Sequence, residues 1–242
     1  MFYLEKRSCI VLFKGLKKYN INNNLETNLK SVGKRSKMQG FILNLNRVKD
    51  EDLIVTILSK DSLDTLYRFY GARHGVINLG FKIDYEKEGS AKTTISRLKD
   101  VIHLGYRWIN DFKLLRDWQD FIALFHKHLR DAEELDSFYF DLIQDASINW
   151  NKQNPRRVAI ESYVKLLEHE GRLHVEHECF LCSLPIEDNI SLIRAYLPTH
   201  KECTHTFGIN KEAFDELFKN KSTLFLNDKE VDRLWSILLE GL

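Results

Sequence analysis

Long apolar runs are missing from this sequence. The longest, around Cys9 to Phe13, is about five residues, against the roughly 20 a helix needs to cross a bilayer, so no helical membrane span is expected. Proline and glycine are scarce, 3 and 11 among 242 residues, which excludes collagen-like and low-complexity architectures. A secretory leader is not expected either: Lys6 and Arg7 precede too short an apolar stretch, and no small-residue cleavage pattern follows. Cysteine is too sparse for a disulfide framework. Of the four, three fall between positions 179 and 203, a distribution that suits a reducing compartment and a metal. A dominant charge sign is lacking as well, with 36 Lys and Arg against 35 Asp and Glu. What is present, 43% apolar and 29% charged residues, describes a folded soluble chain of one large or two small domains.

The near-zero balance hides an asymmetry. Residues 1–37 hold nine basic and two acidic side chains, a net +7, and the remainder, with 27 basic against 33 acidic, carries −6. Any anion-binding face in that remainder must be a local patch and not a global field. The leader is Asn-rich from Asn20 to Asn28 and breaks any sustained period. Methionine occurs only at positions 1 and 38, and a well-patterned strand begins after the second. Residues 1–37 therefore read as a non-native or disordered basic extension, with synthesis expected to begin at Met38. The competing reading is a basic arm that helps hold nucleic acid.

From Gln39 to His103 the pattern is that of strands. Phe41, Leu43 and Leu45 alternate with Ile42, Asn44 and Asn46, and Leu53 to Leu58 is apolar on both parities. Asp64 to Tyr70, Val76 to Tyr85 and Thr93 to Leu104 supply three more candidates, punctuated by Gly71, Gly75 and Gly80. Five short strands in about 65 residues fit a small closed barrel of the OB type. After Trp108 the period becomes helical through Phe112, Leu115, Trp118, Ile122, Phe125 and Leu129, and again from Leu135 to Trp150. Pro155 opens a third helix that Gly171 closes, and two more are expected near 211–219 and 228–239, the last capped by Asn227 with Glu230. The expected class is α+β: a five-stranded OB-fold barrel over 38–107, then an all-helical domain over 108–242 carrying a Cys/His insert at 179–205.

That insert holds the strongest chemical signal. Cys179-x-x-Cys182 is followed, after 17 intervening residues, by His200-x-x-Cys203. Two-residue spacing lets a tight turn offer two donors to one tetrahedral ion, and two such pairs complete a structural zinc site with no position left for water. His205 and His177 are possible substitutes for His200. Because the loop is poor in apolar residues, much of its folding energy is expected from the metal.

Enzymatic readings fail on spacing. His174-x-Glu176 lies only two residues before Cys179 and lacks the proline of zinc deaminases. His169 and His174 are five positions apart, not the four of a metalloprotease helix. Gly75 and Gly80 are not followed by the Lys and Ser/Thr of a phosphate-binding loop, and no Gly-x-Ser-x-Gly occurs. No catalytic residue is assigned.

The barrel segment carries a second signal in Arg47, Lys49, Arg68, Tyr70, Arg73, His74 and Lys82. Cations that follow phosphates beside rings that stack on bases suit single-stranded nucleic acid. Rings at strand parity are also ordinary core residues, and Asp50, Glu51 and Asp52 oppose phosphate nearby.

In order and spacing, Gln39-Gly40-Phe41-Ile42-Leu43, Asp50-Glu51-Asp52-Leu53-Ile54-Val55 and Gly71-Ala72-Arg73, followed by helices with a cysteine-bearing insert, resemble the bacterial DNA repair protein family RecO. The likeness covers Met38 to Leu242 and is similar to the epsilonproteobacterial form. Where the family often adds basic residues after Gly-Ala-Arg, this chain has His74-Gly75-Val76-Ile77. The resemblance implies a cytoplasmic, nucleoid-associated recombination mediator that binds single- and double-stranded DNA, anneals strands and loads recombinase. Its implied partners are RecR, single-stranded-DNA-binding protein and, indirectly, RecA. The rival expectation is a zinc-stabilised protein-interaction adaptor whose barrel binds no DNA.

Overall fold

Residues 37–89, 94–132 and 134–242 are described by a computed structural model; the expectations for the leader lie outside them. Five strands, β1 (Met38–Arg47), β2 (Leu53–Leu58), β3 (Leu63–Arg68), β4 (Lys82–Glu88) and β5 (Arg97–His103), close into a barrel in the order β1-β2-β3-β5-β4. All neighbours are antiparallel except β3 and β5, which meet in parallel at Tyr67 and Arg97. That short seam is reinforced by Tyr67 N–H donating to Ser96 O at 2.9 Å and Arg68 Nη1 donating to Leu98 O at 3.0 Å.

The simple alternation expected of β1 is interrupted. A bulge between Ile42 and Asn44 shifts the register against β2, so the side-chain parity changes there. Ile42 and Leu45, three residues apart, both join the barrel interior, while Phe41 and Leu43 pack into the helical core. Gly40 allows the crossing, because a Cβ there would lie 2.4 Å from Ile57 Cγ2 and 2.9 Å from Leu58 O. β3 ends two residues earlier than its pattern predicts, because Tyr70 takes a left-handed conformation before a 3-10 turn at Gly71–Arg73. β4 starts six residues later than predicted. The segment before it folds through turns closed by Ile77 N–H to His74 O and Phe81 N–H to Asn78 O, and it lays Ile77 and Phe81 into the barrel core.

Among the described residues six helices follow: α1 (Phe112–Leu129), α2 (Phe138–Asn149), α3 (Pro155–His169), α4 (Lys201–Thr204), α5 (Lys211–Asn220) and α6 (Asp228–Leu238). Their starts are sequence-encoded. Asp111 accepts from Lys113 and Leu114 N–H, Asn154 caps a helix that opens on Pro155, and Asn227 and Glu230 form a reciprocal capping box. Gly171, φ +67°, ends α3 as expected.

The second half is not purely helical. Short strands β6 (Ile190–Leu192), β7 (Pro198–Thr199) and β8 (Gly208–Ile209) form a sheet in the order β7-β6-β8. Ile186, Ile190, Leu192 and Tyr196 from the insert, and Ile209 just after it, enter the same core as α1, α2, α3, α5 and α6. The insert is therefore anchored by apolar burial as well as by its cysteines. Barrel and helices also share packing: Phe41 meets Phe140 with ring centroids 5.2 Å apart, and Gly80 O accepts from both Trp118 Nε1 at 2.8 Å and Tyr106 OH at 2.6 Å. The described residues form one compact unit.

Candidate nucleic-acid interface and metal centre

At one end of the barrel the β1–β2 turn lies against the loop after β3. Ala72 N–H donates to Glu51 O at 2.9 Å, and Arg73 pairs with the Glu51 carboxylate. Asp52 accepts from Tyr67 OH at 2.5 Å and from Tyr70 N–H at 2.7 Å. Those two donors hold its carboxyl below the ordinary aspartate range. Two of the three acidic residues that would oppose a polyanion are thus occupied with internal partners.

This tie gathers Arg47, Lys49, Tyr70, Arg73 and His74 on one exposed rim. Tyr70 is 58% exposed, with the Arg73 guanidinium carbon 5.2 Å from its ring centre. Phe69 beside it is 48% exposed and carries Arg97 at 5.1 Å. Sequence reasoning missed both members of this second pair. An aromatic doublet ahead of Gly71 was a visible sign for Phe69. Arg97 had none, because only the parallel closure of β3 onto β5 brings it there.

Two of the grouped cations stand elsewhere. Arg68 is half-buried, and its guanidinium bonds the β5 backbone at the barrel seam. Lys82 opens β4 at the opposite end of the β4–β5 ladder, where its Nζ donates to Gln144 Oε1 of α2 at 2.6 Å and lies 5.5 Å from the Phe140 ring centre. Burial there pulls its pKa below the ordinary lysine value.

The cysteine-bearing insert brings its spaced pairs together. Cys179 and Cys182 lie on a tight turn in which Ser183, φ +57°, donates its N–H to Cys179 O. His200 caps α4, and Cys203 follows within that helix. Phe180 N–H donates to Pro198 O, docking the first turn beside the strand that delivers His200. The donor atoms of Cys179, Cys182, His200 and Cys203 all lie within 4.8 Å of one another. Cys182 Sγ is 3.3 Å from His200 Nδ1, Cys203 Sγ is 3.8 Å from the same nitrogen, and the two sulfurs are 4.0 Å apart. Tetrahedral zinc with bonds of about 2.3 Å to sulfur and 2.0 Å to nitrogen sets ligand–ligand edges of roughly 3.5 to 3.8 Å, so the donor set fits. His200 Nε2 donates to Pro185 O at 3.0 Å, which leaves Nδ1 as the free ligand.

Backbone N–H groups of His200, Cys182 and Leu181 outweigh burial and bring the Cys179 thiol down to about 6, whereas burial and the neighbouring sulfurs push Cys203 up to about 11. Three thiols this close cannot all ionise without a cation among them, and a metal would supply it. Of the alternatives, His177 faces Asp215 at 3.0 Å, and His205 lies at the exposed C-terminal end of α4 outside the cluster. His174 and Glu176 line a cavity of about 330 Å³ that Cys179 also borders, but they are not part of the cluster.

Among the described residues no helix is long and apolar enough to cross a membrane. A comparison of the whole chain with curated proteins finds no match. Residues 38–109, the OB-like barrel, do match the family model described as RecO N terminal.

Proposed function

We propose that this RecO-type DNA repair protein is a non-enzymatic recombination mediator. Its barrel rim binds single- and double-stranded DNA, and the molecule promotes strand annealing and recombinase loading together with RecR and single-stranded-DNA-binding protein. The observation that carries this reading is the pair of exposed rings, Phe69 and Tyr70, each with a guanidinium over it, on a barrel of the RecO N-terminal family. Rings stack on bases of any sequence while Arg47 and Lys49 follow the phosphates, so strands are held unstacked yet mobile. Annealing needs two polyanions to approach, and neutralisation supplies that without covalent chemistry. Cys179, Cys182, His200 and Cys203 would hold a structural zinc, whose chemistry is to cross-link the two halves of the insert. Four protein donors leave no open coordination position for hydrolysis.

Fluorescent single strands titrated at several salt concentrations test the reading. Affinity is expected to fall with a shallow slope, set by a handful of phosphate contacts. Tyr70→Ala is expected to weaken binding about tenfold, within the ~1–3 kcal/mol of one base–ring stack. Absence of binding at low salt, with and without RecR, would refute it. A second reading, the zinc-stabilised adaptor, is favoured by Phe180, Leu181 and Leu184, which stand more than half exposed around the first cysteine turn. A gel shift separates the two.

A further inference from the structure

The seam between barrel and helices contains a cleft of about 630 Å³ on which Lys82, Arg107 and Lys152 converge. Gln39, Gln144 and Asn151 add amide groups, and no carboxylate lines it. The nearest acidic residue along β4 is Asp84, two positions from Lys82. Arg107 and Lys152 are exposed and form no ion pair among the described residues; Lys152 Nζ donates only to Asn149 Oδ1, at 3.1 Å. The aromatic residues of the cleft are already engaged. Tyr106 and Trp108 stack on each other at 4.5 Å, the Tyr106 hydroxyl donates to Gly80 O, and Trp108 Nε1 donates to Ser147 O.

The cleft is therefore the chemical converse of the rim. It offers cations and amides without a free ring face, which suits phosphates and not bases. It also stands apart. On the β4–β5 ladder the cleft end is marked by Ile83 opposite His103 and the rim end by Glu88 opposite Arg97, a separation of about 17 Å at strand rise.

We propose that this seam cleft is a second nucleic-acid site, which grips the phosphate backbone of another strand without reading its bases, so that one molecule engages two strands at once. The proposal rests on the rim being a DNA site.

The test uses the full chain and two non-complementary decamers carrying different fluorophores, with bound strands per chain counted by analytical ultracentrifugation. Wild type is expected to bind two decamers, the second displaced by an abasic deoxyribose-phosphate decamer. Arg107→Ala/Lys152→Ala should keep first-strand affinity within about twofold and weaken the second strand at least tenfold, with unchanged circular dichroism. Arg107→Lys/Lys152→Arg should retain both. One strand per wild-type chain, two strands unaffected by the alanine pair, or displacement by an acidic peptide but not by the abasic decamer would each overturn the proposal. Wild type binding no strand at all would instead remove the rim reading on which it stands.

Discussion

Arginines in the barrel do different work according to where their guanidinium groups end. Arg47 is exposed at the last position of β1, whereas the Arg68 group is half-buried and supplies one of the few bonds that close β3 against β5. Arg68→Ala would leave Leu98 O without its partner at a seam with a single parallel residue pair. It is expected to cost about 1–2 kcal/mol in urea unfolding, while Arg47→Ala stays within about 0.5 kcal/mol. Equal stability of the two variants would show that Arg68 has no role in closure. Residue type marked both as candidate phosphate contacts, because a sequence reports a positive charge but not its direction. β3 ends at Arg68, and the left-handed Tyr70 redirects the chain, so Tyr70 faces solvent while Arg68 turns to the seam.

Among the elements, the cysteine-bearing insert was the most legible in its chemistry and the least legible in its shape. Two-residue spacings identify ligand pairs because one turn of chain spans one edge of a tetrahedron. The sheet β7-β6-β8 has strands of two or three residues, too short to display a period of two. Its apolar residues are placed in the main core by α3, α5 and α6, so metal loss should loosen the cysteine turns without unfolding the helices. Cys182→Ser is expected to reduce bound zinc well below one per chain and to lower the Tm on the order of 5 °C, with nearly unchanged far-ultraviolet dichroism. Wild-type protein that contains no zinc, or a variant that keeps it, would defeat the assignment. Collapse of the helical signal would show that the metal, and not apolar burial, holds the insert.

For the molecule as a whole, the barrel and the helices are joined by a common core and should melt together. Gly80 is the pivot of that junction. Its φ is +79°, and a Cβ there would lie 2.7 Å from Trp118 Nε1. Gly80→Ala combines backbone strain with a clash against an indole that donates to Gly80 O itself. It is expected to cost about 2–4 kcal/mol and to shift barrel and helix signals in a single transition. Two separate transitions in wild type would show that the halves fold independently.

By itself the sequence determined the local decisions. Periods of two and then of 3.6, the caps at Asn154 and Asn227, the stop at Gly171 and the paired metal donors each depend on residues within a few positions of one another. Only the tertiary structure decided which side chains share a surface. The bulge after Ile42 reverses the parity of β1, the β3–β5 closure carries Arg97 to Phe69, the β4–β5 register sets Lys82 at the end away from the rim, and the helices packed there bring it into company with Arg107 and Lys152. Such juxtapositions join residues tens of positions apart, and no periodicity along the chain encodes a distance across it.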